Sequence, residues 1–168
     1  MCGFSGIFSF NKNTNQNQAG VVKKMTDAIA HRGPDDSKFY DDEDLCLGFR
    51  RLSIIDIEGG QQPMLSKNKN FIICFNGEIY NYKKIKKMLK EKDVMLRTSS
   101  DTEVLLEAFS LWGKESLKII NGMFSFIIYD KSKKKIYLAR DRFGIKPLFY
   151  NDQNDQFLFS SEIKGLIA

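Results

Sequence analysis

Histidine is almost missing from this chain of 168 residues: His31 stands alone. Cysteine is scarce too, with Cys2, Cys46 and Cys74 and no CxxC pair. Together these shortages exclude a Cys/His zinc site, which needs several donors at short spacings. An odd cysteine count points to reduced thiols in a cytoplasmic protein and away from a disulfide scaffold. No apolar run approaches the roughly 18 residues of a spanning helix, and no basic segment precedes an apolar one at the start, so neither a membrane nor a secretory reading is supported. The phosphate-loop pattern GxxxxGK[ST], a GxGxxG turn, HExxH and GxSxG are absent, which removes the usual nucleotide, metalloprotease and serine-hydrolase signatures.

What is present is a core-forming composition. Apolar residues make up 42% and charged residues 28%, with 14 phenylalanines, so a sizeable Phe-rich core and one domain over residues 1–168 are expected. Lys and Arg total 26 against 21 Asp and Glu, a net +5. The excess is mostly lysine in two clusters, Lys83–Lys92 and Lys131–Lys135. Neither carries the interleaved arginines or stacking aromatics that read bases, so solvated faces are expected, and nucleic acid is not expected as a partner.

The apolar patterning alternates between two periods. Cys2–Phe10 reads as a strand, with Cys2, Phe4, Gly6, Phe8 and Phe10 on one face. After the polar stretch Asn11–Gln18, Val21, Val22, Met25, Ala28 and Ile29 fall at helical spacing, ending at His31-Arg32-Gly33-Pro34. Phe39-Tyr40 and Leu45–Leu52 flank an acidic turn. Phe71–Phe75 reads as a buried strand, and Glu78–Leu89 as a basic amphipathic helix. Ser100-Asp101-Thr102-Glu103 has the form of a capping box. Met123–Tyr129 with Ile136–Ala139, and Pro147–Tyr150 with Phe157–Ser160, read as hairpins before a short terminal helix. Helices interspersed with hairpins imply a mixed domain with antiparallel sheets, not a parallel βαβ fold.

Chemistry without a second histidine needs another base. Removal of Met1 would leave Cys2 with its own α-amine beside its thiol. An α-amine titrates at about 7.7–8.0, so a useful neutral fraction exists near pH 7 and can take the thiol proton. On position alone the plainer reading, a small strand residue beside a retained Met1, stands ahead. A Cys–His dyad would rest on His31, at a helix end where the dipole favours imidazolium and Arg32 opposes it, a poor setting for a base. Asn76-Gly77, after a strand, offers a side-chain amide and an unhindered backbone N–H to one oxyanion, although Asn-Gly is also the commonest tight hairpin turn. Arg51 can fork onto a carboxylate, and Glu78 and Asp101 can hold an ammonium. Taken singly, each of these three is ordinary. With Cys2 they describe a site for an amino acid bearing an electrophilic side-chain carbonyl.

The motifs Met-Cys-Gly-Phe-Ser-Gly-Ile-Phe at the start, His31–Asp35, Arg51–Asp56, Gln62–Met64, Asn76–Asn81, Ser100–Glu103, Gly122–Phe126, Arg140–Leu148 and Ser161-Glu162 follow one another in order. In that order the chain resembles the N-terminal glutaminase domain of glutamine-hydrolysing asparagine synthetases, class II glutamine amidotransferases of the N-terminal-nucleophile (Ntn) hydrolase type. The resemblance implies an α+β fold, a four-layer αββα sandwich of two antiparallel sheets between helix layers. It implies that Cys2, as the mature N-terminus, attacks the side-chain amide of L-glutamine to form a γ-glutamyl thioester. Arg51 would bind the substrate carboxylate, with backbone of Leu52, Ser53, Ile54 and Ile55 lining the site. Asn76 and Gly77 would form the oxyanion hole, and Glu78 and Asp101 would hold the α-amine. No cofactor or metal is implied for this domain. ATP and Mg are expected only in a C-terminal synthetase domain absent from this chain, which would use the ammonia to amidate aspartate. That domain is the expected partner, and a homodimer of the longer protein is an allowed assembly. Three alternatives stay open: the same glutaminase serving another carboxylate, a catalytically inactive interaction module, and a basic nucleic-acid binder.

Overall fold

The computed structural model describes residues 1–11, 17–52, 60–153 and 155–168. Nine strands and four helices are found among them. In chain order they are β1 (Gly3–Ser9), α1 (Gln18–Ala28), β2 (Asp36–Asp41), β3 (Leu45–Arg51), β4 (Met64–Leu65), β5 (Phe71–Ile79), α2 (Tyr82–Lys90), α3 (Asp101–Trp112), β6 (Gly122–Asp130), β7 (Lys135–Arg140), β8 (Phe149–Gln153), β9 (Gln156–Ser160) and α4 (Ile163–Ile167). Every strand pairing is antiparallel. One sheet has the order β2-β3-β1-β9-β8 and the other β4-β5-β6-β7.

The alternation of each strand sorts its side chains into two cores. Phe4, Phe8, Leu45, Leu47 and Phe49 of the first sheet meet Ile72, Cys74, Ile127 and Tyr129 of the second, which is the layer between the sheets. The opposite face of β5 and β6 buries Ile73, Phe75, Phe126 and Ile128 against Ile85 and Leu89 of α2 and Val104, Leu105 and Ala108 of α3. On the far side Ile7 and Cys46 pack on Val22 and Met25 of α1, with Leu166 of α4 beside them. The result is four layers: α1 and α4, two sheets, then α2 and α3. Gly48 and Gly6 let this stack close, since a Cβ on Gly48 would lie 2.0 Å from Thr26 Oγ1 of α1.

Two local expectations are revised. Strand β5 runs through Asn76-Gly77 to Ile79, so the helix starts at Tyr82 and not at Glu78. Asn76 pairs with Ser125 and Gly77 with Phe124, which rules out the hairpin-turn reading of Asn-Gly. Only half of the capping box forms. Ser100 Oγ accepts from Glu103 N at 3.2 Å, but the Glu103 carboxylate turns to the N–H groups of Arg97 and Thr98 at 2.6–3.0 Å. The Ser100 N–H is taken by Thr98 Oγ1 instead, at 3.3 Å. A loop that needs two donors satisfied outbids the single N–H of the reciprocal cap.

Candidate active site

The start of β1 faces the end of β5. A cleft of about 150 Å³ opens there, lined by Cys2, Arg51, Leu52, Asn76, Gly77, Glu78 and Asp101, together with Met1, Gln62 and Lys146. All the site residues expected from the sequence that lie within the described residues therefore converge. Ser53, Ile54 and Ile55 lie outside the described residues. His31 is not among the lining residues, and its ring nitrogen meets Glu162 at the surface, 2.9 Å away.

Cys2 is held from three directions. Its thiol lies 3.4 Å from the Leu52 N–H and 3.5 Å from the Leu52 carbonyl. Its own carbonyl accepts from Arg32 Nε at 3.0 Å. The Asn76 amide, oriented as its surrounding donors and acceptors require, donates to that same carbonyl at 3.1 Å and accepts from Arg32 Nη2 at 3.2 Å. The other two thiols differ in kind. Burial pushes Cys46 up to about 12 and raises Cys74 further, so both behave as small apolar core residues.

The register of β5 aims Gly77. Even-numbered residues of this strand exchange backbone hydrogen bonds with β6, and the pattern continues past its end, where Tyr80 N–H meets Asn121 O at 2.8 Å. Odd-numbered residues face the other way. Phe75 N–H goes to Gln62 Oε1 at 2.5 Å, and Ile79 N–H to Asp101 Oδ2 at 2.9 Å. Between them the Gly77 N–H faces the same side, and Gly77 lines the cleft. A side chain is not tolerated there: a Cβ would fall 2.2 Å from Met123 O and 2.7 Å from Phe124 Cα, both backbone atoms. Gln62 substitutes for a strand partner that β4 is too short to provide, since its Nε2 also donates to Phe75 O at 3.1 Å. Nothing in the residue order beyond the Gln-Pro-Met motif points to this role.

The charges are arranged on the rest of the rim. Arg51 closes β3 and is buried, with Pro34 bridged to it and Gly33 so tight that a Cβ would lie 2.5 Å from Arg51 N. This explains Gly33-Pro34 better than a simple helix stop. Asp101 opens α3 and is 8% exposed. Burial raises its carboxyl above the ordinary range, as does the nearby Glu78 carboxylate, against the opposing hydrogen bond from Ile79. A cationic group entering the cleft would relieve that cost. Lys146 is 7% exposed, and its ammonium lies 3.5 Å from the Met1 sulfur. Arg32, behind Cys2, and Gln62 and Lys146, in the cleft lining, have roles that their place in the sequence does not reveal. All three sit inside quoted motifs, but nothing in their spacing shows which way they point.

No group of three or more metal-ligating side chains occurs among the described residues. The fold and the motifs agree with known proteins. A family model described as a glutamine amidotransferase domain matches residues 1–168. The chain is similar to "Asparagine synthetase [glutamine-hydrolyzing] 1" of Bacillus subtilis, at 45% identity over 100% of this chain and 27% of that protein. It is 33% identical to "Asparagine synthetase B [glutamine-hydrolyzing]" of Escherichia coli, over 99% of this chain and 30% of that one. The chain thus spans about a quarter to a third of the length of these relatives. Among solved structures, the glutamine phosphoribosylpyrophosphate amidotransferase of B. subtilis superposes with a TM-score of 0.75 at 20% identity, covering 99% of this chain and 43% of that one.

Proposed function

The chain belongs to the glutamine amidotransferase domain family, and from that premise we propose that it hydrolyses L-glutamine to glutamate and ammonia through a thioester on Cys2. The observation that carries this reading is the convergence of one half-buried thiol, one amide pair and a set of oppositely charged side chains on a single small cleft. The size and polarity of the cleft suit a short amino acid.

Each step of the proposal uses a group that lines the cleft or, for the base, one that removal of Met1 would create. Once Met1 is removed, the α-amine of Cys2 takes the thiol proton, directly or through a water. The thiolate attacks the side-chain carbonyl carbon of glutamine. The oxygen becomes negative and accepts hydrogen bonds from the Gly77 N–H and the second amide N–H of Asn76. The first of those Asn76 protons is already committed to the Cys2 carbonyl. Each such donor typically lowers the barrier by about 2.7–4 kcal/mol. The C–N bond then breaks as the new α-ammonium returns its proton to the leaving nitrogen, and ammonia departs. Water, deprotonated by the same amine, attacks the thioester and releases glutamate and the thiol. Arg51 receives the substrate carboxylate, and Asp101 with Glu78 receives its ammonium.

The fate of the ammonia belongs to the part of the relatives that this chain does not span. Those relatives are named for asparagine synthesis coupled to glutamine hydrolysis, and we propose on that ground that the ammonia serves amidation of aspartate to asparagine by an ATP-dependent synthetase domain. The test begins with protein whose intact mass is short by one methionine. Glutamate release from L-glutamine is expected, and Cys2→Ala is expected to abolish it. Turnover that survives Cys2→Ala, or turnover by protein whose α-amine is blocked, overturns the mechanism.

A further inference from the structure

Arg32 is buried, and its planar guanidinium is shared three ways: Nε to the Cys2 carbonyl, Nη2 to the Asn76 oxygen, and Nη1 to Glu162 Oε1 at 2.7 Å. Among the described residues Glu162 is the carboxylate that pairs with it. Resting on the glutaminase reading above, we propose that Glu162 is a positioning residue for that reaction: through Arg32 it fixes which end of the Asn76 amide faces the cleft.

The argument is one of hydrogen-bond logic. A primary amide has an accepting end and a donating end of nearly equal shape, so its neighbours must select between them. The Arg32 cation claims the oxygen of Asn76. Its nitrogen is therefore turned toward Cys2, with one proton on the Cys2 carbonyl and one left for the oxyanion. With the amide reversed, an oxygen would face the developing negative charge. A guanidinium is rigid, so anchoring Nη1 sets the directions of Nε and Nη2 as well. Glu162 supplies the anchor and the countercharge that a buried cation requires.

The backbone holds Glu162 in place independently of Arg32. It follows β9, which pairs with β1 through Ser160 and Ser5. The next residue, Ser161, donates its N–H to Phe4 O at 2.8 Å and accepts the Phe4 N–H on Oγ at 3.0 Å. The carboxylate is thus clamped to the strand that carries the thiol. On its outer side His31 and Lys164 approach it at 2.9 and 3.3 Å. Burial works against ionisation, but the hydrogen bonds from Arg32, His31 and Lys164 outweigh it and hold the carboxyl at about 2. It is charged throughout the pH range in which the thiol chemistry runs.

The experiment compares Glu162→Gln in two backgrounds, with Met1 removed in all proteins. In the wild-type background kcat for glutamine hydrolysis is expected to fall about 10-fold or more, with KM within about 2-fold, because the oxyanion contact exists only in the transition state. In an Asn76→Ala background the same change is expected to cost less than about 3-fold, since the amide it orients is gone. Equal kcat losses in both backgrounds, or a loss confined to KM, overturn the proposal. The side-chain amide signals of Asn76 in nitrogen-15 NMR give a readout independent of turnover: slowly exchanging protons in the wild type are expected to exchange fast in Glu162→Gln. Unchanged signals overturn the proposal whether or not the protein is active. Absence of glutamate release by the wild type sinks the glutaminase reading instead, and the NMR arm still decides this one.

Discussion

The two walls of the cleft are built on opposite plans. On the β1 side, the groups around the thiol are matched inside the protein: Arg32 with Glu162, the Cys2 carbonyl with Arg32 and Asn76. On the α3 side, Asp101 is buried next to another carboxylate, Glu78, and its main compensation is the N–H of Ile79. A wall that positions reacting atoms gains from being complete before the substrate arrives, because nothing then reorganises during the reaction. A wall that recognises a substrate gains from being incomplete, because the ligand supplies the missing partner. The difference separates residues expected to act on kcat from residues expected to act on KM.

Substitutions can break that division, and the largest effect is expected on the completed wall. Asn76→Ala removes a transition-state donor and should lower kcat by about 10²–10³-fold with KM little changed, checked by steady-state glutamate release. Gly77→Ala should be worse for folding than for any single contact, because its Cβ meets backbone of Met123 and Phe124. Loss of the cooperative unfolding transition, or a melting point lowered by several degrees, is the expected outcome.

On the incomplete wall the signs reverse. Asp101→Asn should raise KM for glutamine by about 10–100-fold through loss of an ammonium partner. Yet it should leave the melting temperature at neutral pH equal or higher, because its folded carboxyl is raised and so carrying the charge costs stability once pH exceeds that value. For the same reason KM should rise as pH is lowered through the raised Asp101 titration, since protonation removes the charge that greets the substrate. A stability loss in Asp101→Asn with KM unchanged would collapse the distinction between the walls. The smallest effect is expected at His31→Ala. It leaves the Arg32–Glu162 pair intact at 2.7 Å, so kcat should change less than about 2-fold. Such a result also closes the Cys–His dyad, which would lose all activity.

Much of this arrangement was legible from residue order. The alternation in Cys2–Phe10 located the strand that carries the thiol, and the burial of Phe4, Phe8 and Ile7 on opposite faces follows from it. The anchors Arg51, Glu78 and Asp101 were chosen by charge type and do reach one cleft. What could not be read is direction. Asn76-Gly77 has the same local signature in a turn as in a strand, and only pairing with Ser125 and Phe124 separates them. Arg32 looked like a helix-end cation because its partners, Glu162 and Asn76, are 130 and 44 residues away in sequence. Long-range hydrogen bonds of this kind leave no periodic trace. Gln62 is a clearer case still: a side chain completing a strand ladder follows from β4 starting only at Met64.

The tethering of the Cys2 carbonyl has a practical side for anyone who makes this protein. Arg32 and Asn76 seat the second residue at the mouth of the cleft, and Met1 already lies along its lining. A purification tag fused ahead of Met1 would thread through the cleft proposed for glutamine and would turn the proposed general base into an ordinary peptide nitrogen. Affinity handles therefore belong at the opposite terminus, or behind a protease that leaves cysteine as its first residue.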